Sequence, residues 1–127
     1  MANLIMIDSS CWIKFFRNSD KNVADKVQYL IENDNACICG IIELELVQGI
    51  KSEKQKRQVE ELFSYIKYSD LQRRDFINAG SRIRDLRKKG ITLAPSDVLI
   101  AELCIRNSIT LYSLDKDFDI INELHRL

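Results

Sequence analysis

Leu4-Ile5-Met6-Ile7-Asp8-Ser9-Ser10 is the stretch that decides the fold of this chain of 127 residues. Its four consecutive apolar residues predict a short buried strand, and a strand that is apolar throughout is typical of a parallel sheet covered on both faces. The strand ends in one carboxylate and two hydroxyls. Because ligands of open α/β sheets bind outside the carboxyl ends of the strands, Asp8 is a candidate functional residue.

Two more apolar segments bounded by turn residues, 36–39 and 110–113, predict further strands, and residues 66–68 are compatible with an extended segment. Amphipathic spacing predicts helices between them, including one over 75–89 and one over 97–107 with Ser96 as its N-cap. The buried face of the 75–89 helix would carry Phe76, Ala79, Gly80, Ile83 and Leu86. Strands separated by helices favour parallel pairing through right-handed crossovers. We therefore expect one α/β domain over residues 1–127.

The composition excludes several classes of protein. No apolar run approaches the ~20 residues of a membrane span, and the N-terminus lacks the pattern of a signal peptide, so we expect a cytoplasmic protein without a membrane partner. The chain has four cysteines, no CxxC pair and a single histidine. We therefore expect buried thiols rather than a zinc site or a disulfide framework.

Three further carboxylates are predicted at the same edge of the sheet as Asp8. Asp115 follows the third predicted strand, and Asp97 lies in the first turn of a helix, where the helix dipole favours an anion. Glu45 joins them if its helix crosses the strand ends. Glu43 is roughly 200° away from Glu45 around that helix, so only one of the two can face the site.

Carboxylates that cluster without a histidine or cysteine repel one another unless some are protonated or a hard cation such as Mg²⁺ or Mn²⁺ neutralises them. A carboxylate-held Mg²⁺ pair can support in-line displacement at phosphorus, which is nuclease chemistry. Each acid also has a purely structural interpretation. Asp8 could cap a helix, Asp97 could complement a helix dipole, and Asp115 and Asp117 could be turn residues.

Four short motifs occur in order along the chain. They are Ile7-Asp8-Ser9-Ser10, Glu45-Leu46-Val47-Gln48-Gly49, Leu86-Arg87-Lys88-Lys89-Gly90 shortly before Asp97-Val98-Leu99-Ile100-Ala101, and Leu111-Tyr112-Ser113-Leu114-Asp115-Lys116-Asp117-Phe118. In this order and spacing they resemble the PIN-domain ribonucleases, and within them the VapC-type toxins of bacterial toxin–antitoxin pairs. The resemblance covers nearly the whole chain and selects Glu45 over Glu43.

This resemblance implies a PIN-like three-layer α/β/α fold with a small, mainly parallel central sheet, and a Mg²⁺- or Mn²⁺-dependent endoribonuclease that hydrolyses RNA phosphodiesters. The implied catalytic residues are Asp8, Glu45, Asp97 and Asp115, of which Asp8, Asp97 and Asp115 would hold the metal. Homodimerisation and inhibition by a small antitoxin protein are implied as well.

Among the supporting positions, Ser10 and Ser113 match residues that commonly hydrogen-bond these acids, and Asp117 matches a more variable position with a secondary role. The chain departs from the family pattern at Cys39 and Ile42, where family members often carry Ser or Thr. This departure bears on the hydrogen bonding around the glutamate.

The basic residues suggest where RNA would lie. Arg87, Lys88 and Lys89, together with a basic cluster over residues 51–57, are candidates for contacts with backbone phosphates, although charge runs are usually solvated helix faces. Two alternatives stay open: a housekeeping RNA-processing nuclease without an antitoxin, and a non-catalytic or receiver-like metal-binding module. A receiver should have a second acid beside Asp8 and a lysine after a late strand, and Lys116 is poorly placed for that role.

Overall fold

A computed structural model describes residues 3–127, which form four parallel strands, six α-helices and one 3₁₀ turn. The strands are β1 (Ile5–Ile7), β2 (Ala36–Ile38), β3 (Lys67–Tyr68) and β4 (Thr110–Tyr112). The helices are α1 (Ser9–Arg17), α2 (Lys21–Glu32), α3 (Gly40–Gln48), α4 (Glu53–Phe63), α5 (Arg73–Lys88) and α6 (Pro95–Asn107), and the 3₁₀ turn is Lys116–Ile120. The predicted α/β class and parallel sheet are confirmed.

The sheet has the order β3-β2-β1-β4, so the first strand of the chain is an inner strand. Met6 pairs with Cys37 of β2 on one side and with Leu111 of β4 on the other. Every residue of β1 is buried, as expected for a strand covered on both faces. Because all four strands are parallel, their carboxyl ends meet at one edge of the sheet, and Asp8 lies there.

An aromatic cluster joins α1 to α4. Trp12 is fully buried, and its ring lies 5.8 Å from that of Phe16 and 5.0 Å from that of Phe63, with Phe15 5.9 Å away. This packing explains the apolar spacing along α1.

The helix that carries Asp97 begins earlier than predicted. The sequence indicated Ser96 as the N-cap, but Ala94 holds that position, Pro95 is the first helical residue and Ser96 lies inside the first turn. The physical reason is that proline has a φ suited to the first helical position and lacks only an N–H that would have no partner there.

The buried face of α5 also differs from the prediction. Ala79 is buried and Ile83 and Leu86 are partly buried, but Phe76 is 53% exposed and Gly80 is exposed. The fully buried residue of the first turn is Asp75, which forms an ion pair with Arg106 of α6. Asp75 and Ala79, one helical turn apart, are therefore the buried positions of α5, and the ion pair with Arg106 joins this face to α6.

Two other predictions concern the remaining chain. The extended segment near residues 66–68 is β3, which pairs with β2, and the four cysteines are all free and buried as expected. Burial raises the pKa of the Cys11 and Cys39 thiols to about 11, so both are protonated at neutral pH.

None of the helices within residues 3–127 is long and apolar enough to cross a membrane.

Candidate active site

Asp8 lies directly after β1 and is 94% buried. It occupies the N-cap position of α1, but its side chain makes no capping hydrogen bond. Instead its Oδ2 atom accepts hydrogen bonds from the hydroxyls of Ser10, at 3.0 Å, and Ser113, at 2.7 Å. Asp8 is therefore the N-cap residue through its backbone, whereas its carboxylate does not cap the helix and is held at the sheet edge by two hydroxyls.

Ser113 links Asp8 to the loop that follows β4. Its hydroxyl donates to Asp8 and accepts from the backbone N–H of Asp115 at 3.1 Å, while the hydroxyl of Ser10 accepts from the N–H of Leu114 at 3.2 Å. The Asp115 side chain caps the 3₁₀ turn by accepting from the N–H of Asp117 at 2.9 Å. The two predicted serines thus connect the Asp8 carboxylate to the backbone N–H groups of Leu114 and Asp115.

Asp97 lies in the first turn of α6, and its environment opposes the charged form. Burial is the largest cause, and the negative charges of Asp8, Asp115 and Asp117 add to it, so that the pKa of Asp97 rises to about 6. A carboxyl at a helix N-terminus would otherwise be stabilised as an anion. The raised pKa therefore indicates that Asp8, Asp97, Asp115 and Asp117 share one electrostatic environment.

Glu45 approaches the same place from α3. Its pKa is raised by burial first and then by the charges of Asp8 and Asp97, while the Ser9 hydroxyl acts weakly in the opposite direction. Its Oε1 atom is buried and has no hydrogen-bond partner among the described residues. The departure at Cys39 and Ile42 has this consequence: neither side chain can donate strongly to the glutamate, and a carboxylate oxygen stays unsatisfied.

Asp8, Glu45, Asp97 and Asp115 are thus brought to one edge of the sheet, and none of them forms an ion pair within residues 3–127. Over the same residues, no three acidic, histidine or cysteine side chains are close enough to hold a metal ion together as they stand. The carboxylates are therefore near enough to oppose one another's ionisation without forming a closed set of ligands. An unsatisfied buried carboxylate oxygen and an oxygen-only donor set suit a hard divalent cation.

The predicted RNA-binding residues lie outside this cluster. Arg87, Lys88 and Lys89 are exposed at the C-terminal end of α5, where Gly90 takes a positive φ of 77° and leads to the loop before α6. Since that loop ends at the helix carrying Asp97, the basic residues and the acids are separated by one short connection. No contact joins these cations to the four acids.

A groove next to Glu45 was not predicted from the sequence. It has a volume of about 180 Å³ and lies between α1, α3 and α4, with Glu45 at its wall. The other lining residues are mainly apolar and include Ile13, Phe16, Leu46, Ile50 and Val59. Helical spacing places such residues on a helix face, but it cannot indicate that three faces leave a gap between them.

The chain is similar to known proteins in both sequence and fold. The family model described as the PIN domain matches residues 5–124. The chain is 30% identical to the VapC ribonuclease Mb1587 of Mycobacterium bovis and to ribonuclease VapC11 of Mycobacterium tuberculosis, over 98% of this chain and 96% of each relative. Its fold is similar to that of a chain in the crystal structure of VapBC2 from Rickettsia felis bound to promoter DNA, with a TM-score of 0.80, 21% identity and coverage of 98% and 97% of the two chains.

Proposed function

We propose a function from the premise that this chain belongs to the PIN domain family: it is a ribonuclease that hydrolyses RNA phosphodiesters and acts as the toxin of a toxin–antitoxin pair. The observation that carries the proposal is the convergence of Asp8, Glu45 and Asp97 at the carboxyl edge of a parallel sheet without a cation to neutralise them. A protein tolerates such repulsion where the site binds something positive or does chemistry that needs the charge.

We assign Asp8, Asp97 and Asp115 as the residues that would hold Mg²⁺ or Mn²⁺. Their oxygen donors are those that these hard cations prefer. Burial raises the pKa of Asp97 most, and a divalent cation would relieve the repulsion from neighbouring acids that adds to it. When bound, such a cation supplies Lewis-acid activation of water and stabilises negative charge that develops on the phosphate oxygens.

Glu45 is assigned as the proton acceptor. Burial and the charges of Asp8 and Asp97 raise its pKa, which favours uptake of a proton by the Glu45 carboxylate during attack of water at phosphorus. Ser10 and Ser113 hold the Asp8 carboxylate in place by donating two hydrogen bonds to one of its oxygens, which leaves the second oxygen for other contacts. Asp117 adds negative charge near Asp97 and takes a supporting role.

The substrate contacts follow from charge. Arg87, Lys88 and Lys89 are exposed cations one short loop away from Asp97, and they are suited to phosphates of RNA on either side of the cleaved bond. Contacts of this kind position the nucleic acid without reading its sequence. We expect their replacement to weaken binding of all RNA substrates by a similar factor.

The partner of the toxin is an antitoxin, and the groove beside Glu45 is our proposed docking place for it. The groove wall is mainly apolar but also contains Glu45, Arg17, Gln55 and Gln58, so it suits a segment with apolar side chains and a cationic group that pairs with Glu45. Such a segment would neutralise Glu45 and exclude RNA from the acids. Inhibition would then be steric and electrostatic at once.

We also propose that the chain forms a homodimer in the cytoplasm. Leu44 and Tyr68, which are 63% and 53% exposed, line one shallow groove between α3 and β3. Two large apolar side chains on one surface are typical of an interface. Sedimentation of the wild type and of a Leu44→Glu variant tests this proposal, and a monomeric wild type at micromolar concentration contradicts it.

The central experiment uses the purified chain with labelled structured RNA and Mg²⁺ or Mn²⁺. We expect endonucleolytic cleavage that EDTA abolishes and that Asp8→Asn lowers by roughly a hundredfold or more. The matched control is Asp85→Asn, which removes an exposed carboxylate of α5 and should leave the rate unchanged. Cleavage by Asp8→Asn at the wild-type rate would overturn the assignment.

A growth experiment in cells distinguishes a toxin from a housekeeping nuclease. Expression of the active chain should arrest growth, the Asp8→Asn variant should not, and co-expression of the cognate antitoxin should restore growth. An active nuclease whose expression leaves growth unaffected would instead support the housekeeping alternative.

A further inference from the structure

Arg126 is a cation close to the proposed active site that the motifs did not indicate. The segment His125–Leu127 runs beside β4, because the N–H of Leu111 donates to the carbonyl of His125 at 2.9 Å and the N–H of Leu127 donates to the carbonyl of Leu111 at 2.9 Å. Arg126 forms an isolated parallel bridge with Leu111. The last residues of the chain therefore fix the position of an arginine against the strand that leads to Ser113.

The guanidinium of Arg126 holds the loop after β4. Its Nη2 atom donates to the carbonyl oxygen of Ser113 at 2.6 Å, and its Nη1 atom donates to the carboxylate of Asp119 at 2.6 Å. The cation also lies 6.0 Å from the centre of the Phe118 ring, which is itself buried. The Arg126 side chain is only 20% exposed, so its position is defined by these three neighbours.

The Ser113 carbonyl is the connection to the acids. On the same residue, the hydroxyl donates to Asp8 and accepts from the N–H of Asp115. A displacement of the Ser113 backbone would therefore move a donor of one proposed metal ligand and release the backbone of another. Outer partners of this kind commonly affect metal affinity or activity by 10- to 100-fold.

We propose that Arg126 is a positioning residue of the active site, which acts by holding Ser113 so that Asp8 and Asp115 keep the separation that the cation and the phosphate require. This inference rests on the proposed nuclease function and deepens it. Arg126 touches neither substrate nor metal in this scheme. Its hydrogen bond to the Ser113 carbonyl carries this role, and the exposed Asp119 carboxylate is a second partner of the guanidinium that the role does not require.

The test compares two variants that lose different contacts of the Arg126 guanidinium. Arg126→Gln removes both contacts of the guanidinium, whereas Asp119→Asn removes only the charge of its exposed partner and leaves the contact with Ser113. We expect Arg126→Gln to lower kcat by 10- to 100-fold with KM for RNA within twofold of the wild type. Asp119→Asn should change neither constant by more than twofold, and Arg126→Lys should recover part of kcat because an ammonium can still donate to the Ser113 carbonyl.

Binding of Mn²⁺ without RNA, measured by calorimetry, gives a readout that does not depend on catalysis. We expect its Kd to rise about tenfold or more in Arg126→Gln and to stay unchanged in Asp119→Asn. Thermal unfolding of each variant corrects both measurements for the folded fraction. Equal kcat and equal Mn²⁺ affinity of folded Arg126→Gln and wild type would overturn the inference and leave Arg126 with a structural role.

The two proposals fail in distinguishable ways. If the wild type binds Mn²⁺ but cleaves no RNA, the nuclease function fails while the calorimetric comparison still decides whether Arg126 positions the acids. If the wild type cleaves RNA and Arg126→Gln does so at the same kcat, the nuclease function stands and the positioning role is wrong.

Discussion

The carboxylates in two regions of this molecule have opposite electrostatic environments. Where α5 meets α6, Asp75 is fully buried and receives two hydrogen bonds from the guanidinium of Arg106, at 2.7 and 2.8 Å, and a third from the N–H of Gln72 at 2.8 Å. At the sheet edge, Asp8, Glu45 and Asp97 lie close enough to oppose one another's charge and receive no cation.

The pKa values record the difference. Hydrogen bonds from Arg106 lower the pKa of Asp75 even though burial acts to raise it. Burial and neighbouring acids raise the pKa of Asp97 to about 6. The first carboxylate is neutralised by the fold itself, which is a structural use of charge. The second group leaves its charge for a ligand to neutralise, which is the arrangement expected of a functional site.

The largest expected effect comes from removing charge at the sheet edge. Asp97→Asn should lower RNA cleavage by roughly 10²- to 10⁴-fold, because it removes a proposed metal ligand. The free energy of unfolding at pH 8 should equal or exceed that of the wild type, since the ionised carboxylate is unfavourable where it lies. Initial rates and urea denaturation of the same preparation check both parts. A variant that loses activity and stability together would make Asp97 a structural residue.

Removing the cation at the α5–α6 contact should lower the free energy of unfolding and leave the activity almost unchanged. Arg106→Gln leaves Asp75 buried without its cation, and we expect a loss of about 3–5 kcal/mol in the free energy of unfolding. Activity per folded molecule should stay within about twofold. A double variant, Asp75→Leu with Arg106→Met, should recover much of the stability because it removes the buried charge altogether. Little loss in the single variant would contradict the account of α5.

A divalent cation should stabilise one region and leave the other unaffected. Mn²⁺ at a hundred times its Kd should raise the free energy of unfolding of the wild type by about 2.7 kcal/mol, as any ligand that binds only the folded state does. The same addition should have no effect on Asp97→Asn, whereas Arg106→Gln should gain as much as the wild type. Thermal unfolding with and without Mn²⁺ measures this, and an equal gain in all three proteins would place the bound metal elsewhere.

The smallest expected effect concerns how the free energy of unfolding, measured in EDTA, depends on pH. We expect it to rise as the pH falls from 7 and to decrease again below pH 3.8. As pH falls from 7 through about 6, folded Asp97 binds a proton that the unfolded chain does not bind until near pH 3.8, so stability should rise. Below pH 3.8 the unfolded chain binds a proton that folded Asp75 resists, so stability should fall. Asp97→Asn should reduce the rise in stability as the pH falls from 7 and leave the decrease below pH 3.8 unchanged. A steady decline from pH 7 would contradict the raised pKa.

Much of the site could be predicted because its residues follow local signals. Asp8 comes directly after β1 and Asp115 three residues after β4, and parallel strands bring their carboxyl ends to one edge whatever packs around them. The family resemblance selected Glu45 over Glu43 and implied the roles of the two serines. The catalytic roles of these residues stay predictions.

Other features depend on contacts between distant parts of the chain. Asp75 is buried because Arg106, 31 residues later, lies opposite it, and Phe76 is exposed for the same reason. Arg126 reaches Ser113 only because the last residues run beside β4.

The sequence by itself determined the α/β class, the parallel sheet and the strand ends that carry the acids, because apolar runs and helical spacing are repeated within short segments. Only the tertiary structure decided which carboxylate receives a cation and which does not. The charge state of a buried group depends on what lies across the contact from it, and the residues that meet there are far apart in the chain.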